Sequence, residues 1–233
     1  MLNFIGNGSA FSTRVNNSAY YKDGDTMLLV DCGETVFQEI LKRNLLDGVK
    51  NLLVLITHSH SDHCGSLSGL VWYCEYITKA KVVIVAPLSV FHILDFMGNH
   101  RESYFRVIAK SHELAGVGPF RYIPVGTTHQ RGMDCFGYSI SIDLEMEVYN
   151  CYYTGDTKNF DIELINSLKL NKLNDIYCDV TVYDGDDNVH MNLDKLATLV
   201  PKKYRSSIHL MHLADNFPDQ KAIELGFKIT EVS

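Results

Sequence analysis

The chain has 233 residues, 46% of them hydrophobic and 21% charged, the composition of an ordinary globular protein able to bury a sizeable core. Its net charge of −7 argues against a broad electrostatic footprint on nucleic acid, so no stable nucleic-acid partner is expected. No apolar run is long enough to span a bilayer, and Met1-Leu2-Asn3-Phe4-Ile5-Gly6 has neither the basic lead nor the apolar core of a signal peptide.

In chain order, Leu2 to Ile5 alternates as a strand and breaks at Gly6-Asn7-Gly8-Ser9-Ala10, a Gly-rich turn without a dinucleotide fingerprint. Ser18 to Lys22 and Thr26 to Val30 flank Asp23-Gly24-Asp25 and predict a β-hairpin. Asp31-Cys32-Gly33 ends its second arm, and a helix with apolar Val36, Phe37, Ile40 and Leu41 follows. Asp31 is a turn or capping residue, or else it hydrogen-bonds a metal ligand and orients it. Leu52 to Ile56 is an unbroken apolar run, a strand buried on both faces.

That strand runs into Thr57-His58-Ser59-His60-Ser61-Asp62-His63-Cys64-Gly65, around which the rest of the reading turns. Three imidazoles and a carboxylate at a strand end suit zinc, iron or manganese, and no thiolate set accompanies them. Alternate residues of an extended segment share one side, so His58 and His60 can share one ion while Asp62 and His63 face a second. The six cysteines (Cys32, Cys64, Cys74, Cys135, Cys151, Cys178) are scattered and read as reduced thiols, Cys64 included.

Further along, Ser66 to Lys79 predicts a helix, Lys81 to Ala86 a buried strand and Leu88 to about Met97 a helix. Gly98 to Gly118 is the least patterned stretch, holds His100 and His112, and reads as a solvated connection, a lid or an interface arm. Arg121 to Val125 is a strand leading to His129; Cys135 to Ile142 and Glu147 to Thr154 pair, the second running into Gly155-Asp156-Thr157. Asp175 to Val180 is a strand, Leu193 to Val200 a helix, Ser207 to His212 a strand, Asp219 to Leu225 a helix and Phe227 to Val232 a final strand. No repeat or linker interrupts the chain, so residues 1–233 are expected to form a single domain. His209 precedes His212 by three residues, and that odd offset turns it to the other side of its strand, where it packs.

Asp31, the H-x-H-x-D-H loop, His129, Asp156 and His212 follow one another at successive strand ends, and in that order they resemble the five motifs of the metallo-β-lactamase fold superfamily. The resemblance implies an α/β fold, a four-layer αββα sandwich. It also implies two divalent ions, zinc with manganese as the alternative. His58, His60 and His129 would hold one, Asp62, His63 and His212 the other, with Asp156 bridging and Asp62 also among the catalytic groups.

Gly6 to Ala10 with Asp31-Cys32-Gly33-Glu34, and Asp187 to Ala197 around His190, resemble the ribonuclease Z branch. In that branch the histidine is a catalytic acid partnered by a carboxylate, which here implies His190 and Asp194, the shorter Asp replacing a Glu. A plain helix-cap role for His190 is the alternative. A pre-tRNA-gripping basic arm has no room between His129 and Asp156, where Arg131 is the only basic residue. The chain is similar to compact members of this branch, the anti-Pycsar phosphodiesterases, which open 3′,5′-cyclic mononucleotides and act as homodimers. That resemblance implies a small nucleotide substrate and a cytoplasmic site of action, in a bacterial cell or a phage-infected host. Tyr104, Phe105 and Tyr183 are candidates to sandwich a base. A tRNA-processing endonuclease and a lactone or ester hydrolase are the rival activities.

Overall fold

The apolar runs of the sequence become the inner strands of two mixed sheets, and each run ends where a polar turn begins. The computed structural model describes residues 1–232. The chain divides into two units, residues 2–110 with Val232, and residues 111–231 with Met1.

In the first unit, β1 (Asn3–Gly6), β2 (Ser18–Asp23) and β3 (Thr26–Val30) form an antiparallel meander, and Gly24 at φ 56° makes the predicted hairpin turn. After α1 (Val36–Lys42), β4 (Asn51–Leu55) pairs parallel with β3. Then come α2 (Ser61–Cys64), α3 (Leu67–Tyr73), β5 (Lys81–Ala86), α4 (Leu88–Phe96) and β6 (Phe105–Ile108), giving a six-stranded sheet in the order β1-β2-β3-β4-β5-β6. Alternate strand residues Met27 and Leu29, Leu52 and Val54, and Val82 and Ile84 point into one core. Val36 and Ile40 of α1, Leu67, Leu70 and Val71 of α3, and Phe91 and Leu94 of α4 cover them. The helix expected to Lys79 instead widens into a π-turn over Cys74–Thr78 and ends at Lys79 in the left-handed region.

The second unit repeats this logic. β7 (Ala115–Val117), β8 (Phe120–Gly126), β9 (Phe136–Asp143) and β10 (Val148–Tyr153) are antiparallel. After α5 (Glu163–Lys169), β11 (Asp175–Asp179) joins β10 in parallel. Helix α6 (Leu193–Leu199) leads to β12 (Ile208–Met211), and α7 (Asp219–Glu224) to β13 (Lys228–Ile229), the last of seven strands. Ile176, Cys178, Ile208 and Leu210 pack under Ile165, Leu168, Leu193, Leu196 and Ala222.

The stretch from Gly98 to Gly118 is not an unstructured lid. It holds a 3₁₀ turn at Arg101–Ser103 and the edge strands β6 and β7. Both edge strands are mostly exposed, so their sequences carry no clean apolar alternation. All six cysteines are buried and stand outside any disulfide, and burial pushes the Cys32 and Cys64 thiols up to about 12, which keeps them protonated. Among the described residues no helix is long and apolar enough to cross a membrane.

His209 is packed as its offset predicted, with Nε2 2.7 Å from Asp175 Oδ1, and Tyr149 donates its hydroxyl to Asp175 Oδ2 at 2.7 Å. Burial pushes the Asp175 carboxyl up, but the hydrogen bonds from His209 and Tyr149 and the charges of His209 and Lys228 outweigh it and hold it below the usual range. A depressed carboxylate stabilises the fold above its unfolded pKa, and that stabilisation is lost as pH falls through its folded value. Asp175→Asn should therefore cost about 1–3 kcal/mol near neutral pH. In urea titrations the gap to the parent chain should close in acid, and a gap unchanged in acid would contradict this.

Candidate metal centre

Each parallel strand ends in a polar turn, and the polar side chains of interest stand on those turns. In the first unit β4 gives way to Ile56-Thr57-His58 and then to the one-turn helix α2, which carries Asp62 and His63. His58 Nε2 lies 3.0 Å from His60 Nδ1, and His63 Nε2 lies 3.3 Å from Asp62 Oδ2. Beneath them sits Asp31, fully buried and held at φ 62° just past β3. A non-glycine residue in the left-handed region is strained, and such strain collects at functional sites. Asp31 Oδ1 accepts from the Thr57 amide at 2.8 Å and the Thr57 hydroxyl at 3.0 Å, and Asp31 Oδ2 accepts from His63 Nδ1 at 2.9 Å. Burial raises the Asp31 pKa against the pull of His63 and Thr57. The Thr57 hydroxyl, spent on Asp31, turns a lone pair to His58 Nδ1 at 3.0 Å. Gly33 is required here, since a Cβ would come within 1.9 Å of the Asp62 carbonyl oxygen.

In the second unit β8 leads to His129, β10 to Asp156 through Gly155 at φ 57°, and β12 to His212 at φ 60°. Asp156 Oδ2 lies 3.5 Å from His212 Nε2, 3.7 Å from His129 Nε2 and 3.8 Å from His190 Nδ1. A further carboxylate, Asp179 at the end of β11, is fully buried. It meets His190 Nδ1 at 2.8 Å through Oδ2 and His212 Nδ1 at 3.2 Å through Oδ1. Burial pushes Asp179 up, but the His190 charge and the hydrogen bonds from His190 and His212 prevail and hold it low. His129 is held below the usual imidazole value by burial, despite the nearby Asp156 carboxylate.

The donor chemistry fits a divalent metal. In His63 and His129 the Nδ1–H is committed to Asp31 and to the Val189 carbonyl, which puts the ligating lone pair on Nε2, and His212 Nδ1 lies 3.2 Å from Asp179 Oδ1, which favours the same tautomer. Asp156 Oδ2 lies 3.7 Å from His129 Nε2 and 3.5 Å from His212 Nε2, so these three donors face one point. Imidazoles and carboxylates in such sets match zinc and manganese, and the side chains do not choose between them.

The carboxylate expected beside His190 was Asp194, and the structure corrects this. Asp194 lies in the first turn of α6, where Asn192 caps its backbone amide, and its side chain is 70% exposed and paired with Lys221 at 2.7 Å. Asp179 takes the place instead. Its signal in the sequence was a carboxylate at the end of a strand, the same signal that marks Asp31 and Asp156. Of the candidate aromatics, Tyr104 is buried and stacks on Phe91, so it is not available to a base. Phe105 is exposed on β6, and Tyr183 is exposed with its hydroxyl donated to Asp187.

Two mixed sheets with imidazoles and carboxylates on their strand-end turns define a protein of the metallo-β-lactamase fold. The crystal structure of the metallo-β-lactamase fold protein YhfI from Bacillus subtilis matches with a TM-score of 0.72 at 16% identity, over 96% of this chain and 90% of that one. The short form of human tRNase Z matches with a TM-score of 0.68 at 17% identity, over 92% and 93% of the two chains. A sequence profile of the family described as "Anti-Pycsar protein Apyc1" matches residues 1–229, and the chain belongs to that family. The anti-Pycsar protein Apyc1 of Bacillus phage 010DV004 is 28% identical over 247 residues, covering 94% of this chain and 90% of that protein.

Removing the carboxylate that fixes His63 should loosen the metal. Asp31→Ala should weaken metal binding about 10–100-fold, read by competition with a chromophoric chelator, and an unchanged affinity would contradict the role given to Asp31.

Proposed function

We propose that this protein is a dinuclear-metal phosphodiesterase that opens 3′,5′-cyclic mononucleotides to linear nucleoside monophosphates. It would thereby remove the nucleotide signal of Pycsar-type anti-phage defence in the cytoplasm of an infected or bacterial cell. In this reading His58, His60 and His129 would hold one ion and Asp62, His63 and His212 the other, with Asp156 serving both. Bound zinc or manganese would supply Lewis acidity and a water acidic enough to act as nucleophile at neutral pH. The chain's own side chains do the rest, with Asp62 orienting the attacking water.

One observation carries the reading, the 2.8 Å contact of His190 Nδ1 with Asp179. Opening the ring at phosphorus expels a sugar alkoxide, which needs a proton. Burial works against the imidazolium, but the charge and hydrogen bond of Asp179 outweigh it and hold His190 above its usual value. A protonated imidazole beside Asp156 is the donor that an alkoxide requires.

A small substrate is favoured over RNA by the connection from His129 to Asp156. It is spent on β9, β10 and a short turn, with Arg131 its only basic residue. A long RNA backbone would lack the cations that usually hold it. The active form in this reading is a homodimer. Sedimentation of the metal-loaded protein should give a two-chain species, and a monomer at every concentration would contradict that part.

The central test is a panel of cyclic mononucleotides, cyclic dinucleotides and pre-tRNA, with products resolved by chromatography. Cyclic mononucleotides should give linear monophosphates, and His190→Ala should slow them about 10²–10⁴-fold. Pre-tRNA cleaved as fast as a cyclic mononucleotide would favour a processing nuclease, and a negligible effect of His190→Ala would favour an ester hydrolase.

A further inference from the structure

We propose that Asn188 is the positioning residue that fixes His190 for proton donation, by gripping its backbone from both sides. The proposal rests on the reading of His190 as the acid. The segment between β11 and α6 has no helix or strand of its own, only the bridge Thr181↔Asn192. Yet this segment must deliver one imidazole to Asp179 with useful accuracy. The ring is held through Nδ1, but a ring is placed no better than the backbone that bears it.

Asn188 supplies that backbone hold. Its side chain is buried, only 6% exposed. Its Oδ1 accepts from the His190 amide at 2.9 Å, and its Nδ2 donates to the His190 carbonyl at 2.9 Å and to the Tyr183 carbonyl at 3.0 Å. The orientation of the amide is forced, because two carbonyls demand donors and one N–H demands an acceptor. No other side chain type offers two donors and an acceptor in so short a reach.

The far end of the grip is anchored as well. The Asn188 amide closes a turn on the Gly185 carbonyl at 3.0 Å, and the Tyr183 hydroxyl donates to Asp187 at 2.6 Å. Gly185 fits under the Tyr183 hydroxyl, where a Cβ would come within 2.1 Å. Beyond His190, the Thr181 amide donates to the Met191 carbonyl at 2.8 Å. His190 is thus pinned between two ties, and Asn188 is the tie that holds it directly.

A misplaced donor costs rate only where a proton is needed. Bis(p-nitrophenyl) phosphate loses a p-nitrophenolate stable enough to leave unprotonated, whereas a cyclic nucleotide loses an alkoxide that is not. The test compares both substrates on the same metal-loaded preparations of the parent, Asn188→Ala, Asn188→Asp and His190→Ala, so that the fraction of folded enzyme cancels. Asn188→Ala should lower kcat on the cyclic nucleotide about 10–100-fold, with KM and the aryl diester rate little changed. Asn188→Asp keeps the acceptor for the His190 amide but sets a carboxylate against two carbonyl oxygens, and should be worse on the same substrate alone. Equal losses on both substrates, or no loss on the cyclic nucleotide, would overturn the proposal. If His190→Ala itself spares the cyclic nucleotide, the acid reading falls first and the role of Asn188 falls with it.

Discussion

A carboxylate taken fully out of water is costly unless partners satisfy it, and this chain buries two of them at the ends of parallel strands, Asp31 after β3 and Asp179 at the end of β11. Each is paired with imidazole. Asp31 takes His63, with help from Thr57, and Asp179 takes His190 through Oδ2, with His212 Nδ1 3.2 Å from its Oδ1. Those contacts fix which nitrogen carries the proton, and so decide where each lone pair points. The metal chemistry proposed for this protein depends on that prior arrangement of protons.

The fold explains why such pairs form where they do. In each unit an antiparallel meander gives way to parallel strands linked by helices, and the carboxyl ends of parallel strands open into turns. The turns are sharp. Asp31 and His212 occupy the left-handed region without being glycines, and Gly155 occupies it just before Asp156. Strain at these residues is carried by the buried strands behind them, whose apolar side chains admit no slack.

Much of this was legible in the sequence, for identifiable reasons. The H-x-H-x-D-H loop is readable because its donors are contiguous and follow an unbroken apolar run. The inner strands were readable because they are apolar throughout. Asp179 was not, because Ile176-Tyr177-Cys178-Asp179 looks like any strand end until His190 folds back eleven residues later. The resemblance to the ribonuclease Z branch implies Asp194 at the place of its Glu, and helix geometry overrules it: a first-turn residue beyond an Asn192 cap faces solvent and finds Lys221. The edge strands β6 and β7 escaped notice because both are mostly exposed, and the π-turn after α3 leaves no mark on periodicity.

The proposed activity calls for two ions held by the side chains named for them. Anomalous diffraction at the zinc absorption edge from metal-loaded crystals measures this directly. The account predicts two peaks, one among His58, His60 and His129, the other among Asp62, His63 and His212, with Asp156 touching both. A single peak, or two peaks away from these side chains, would contradict it.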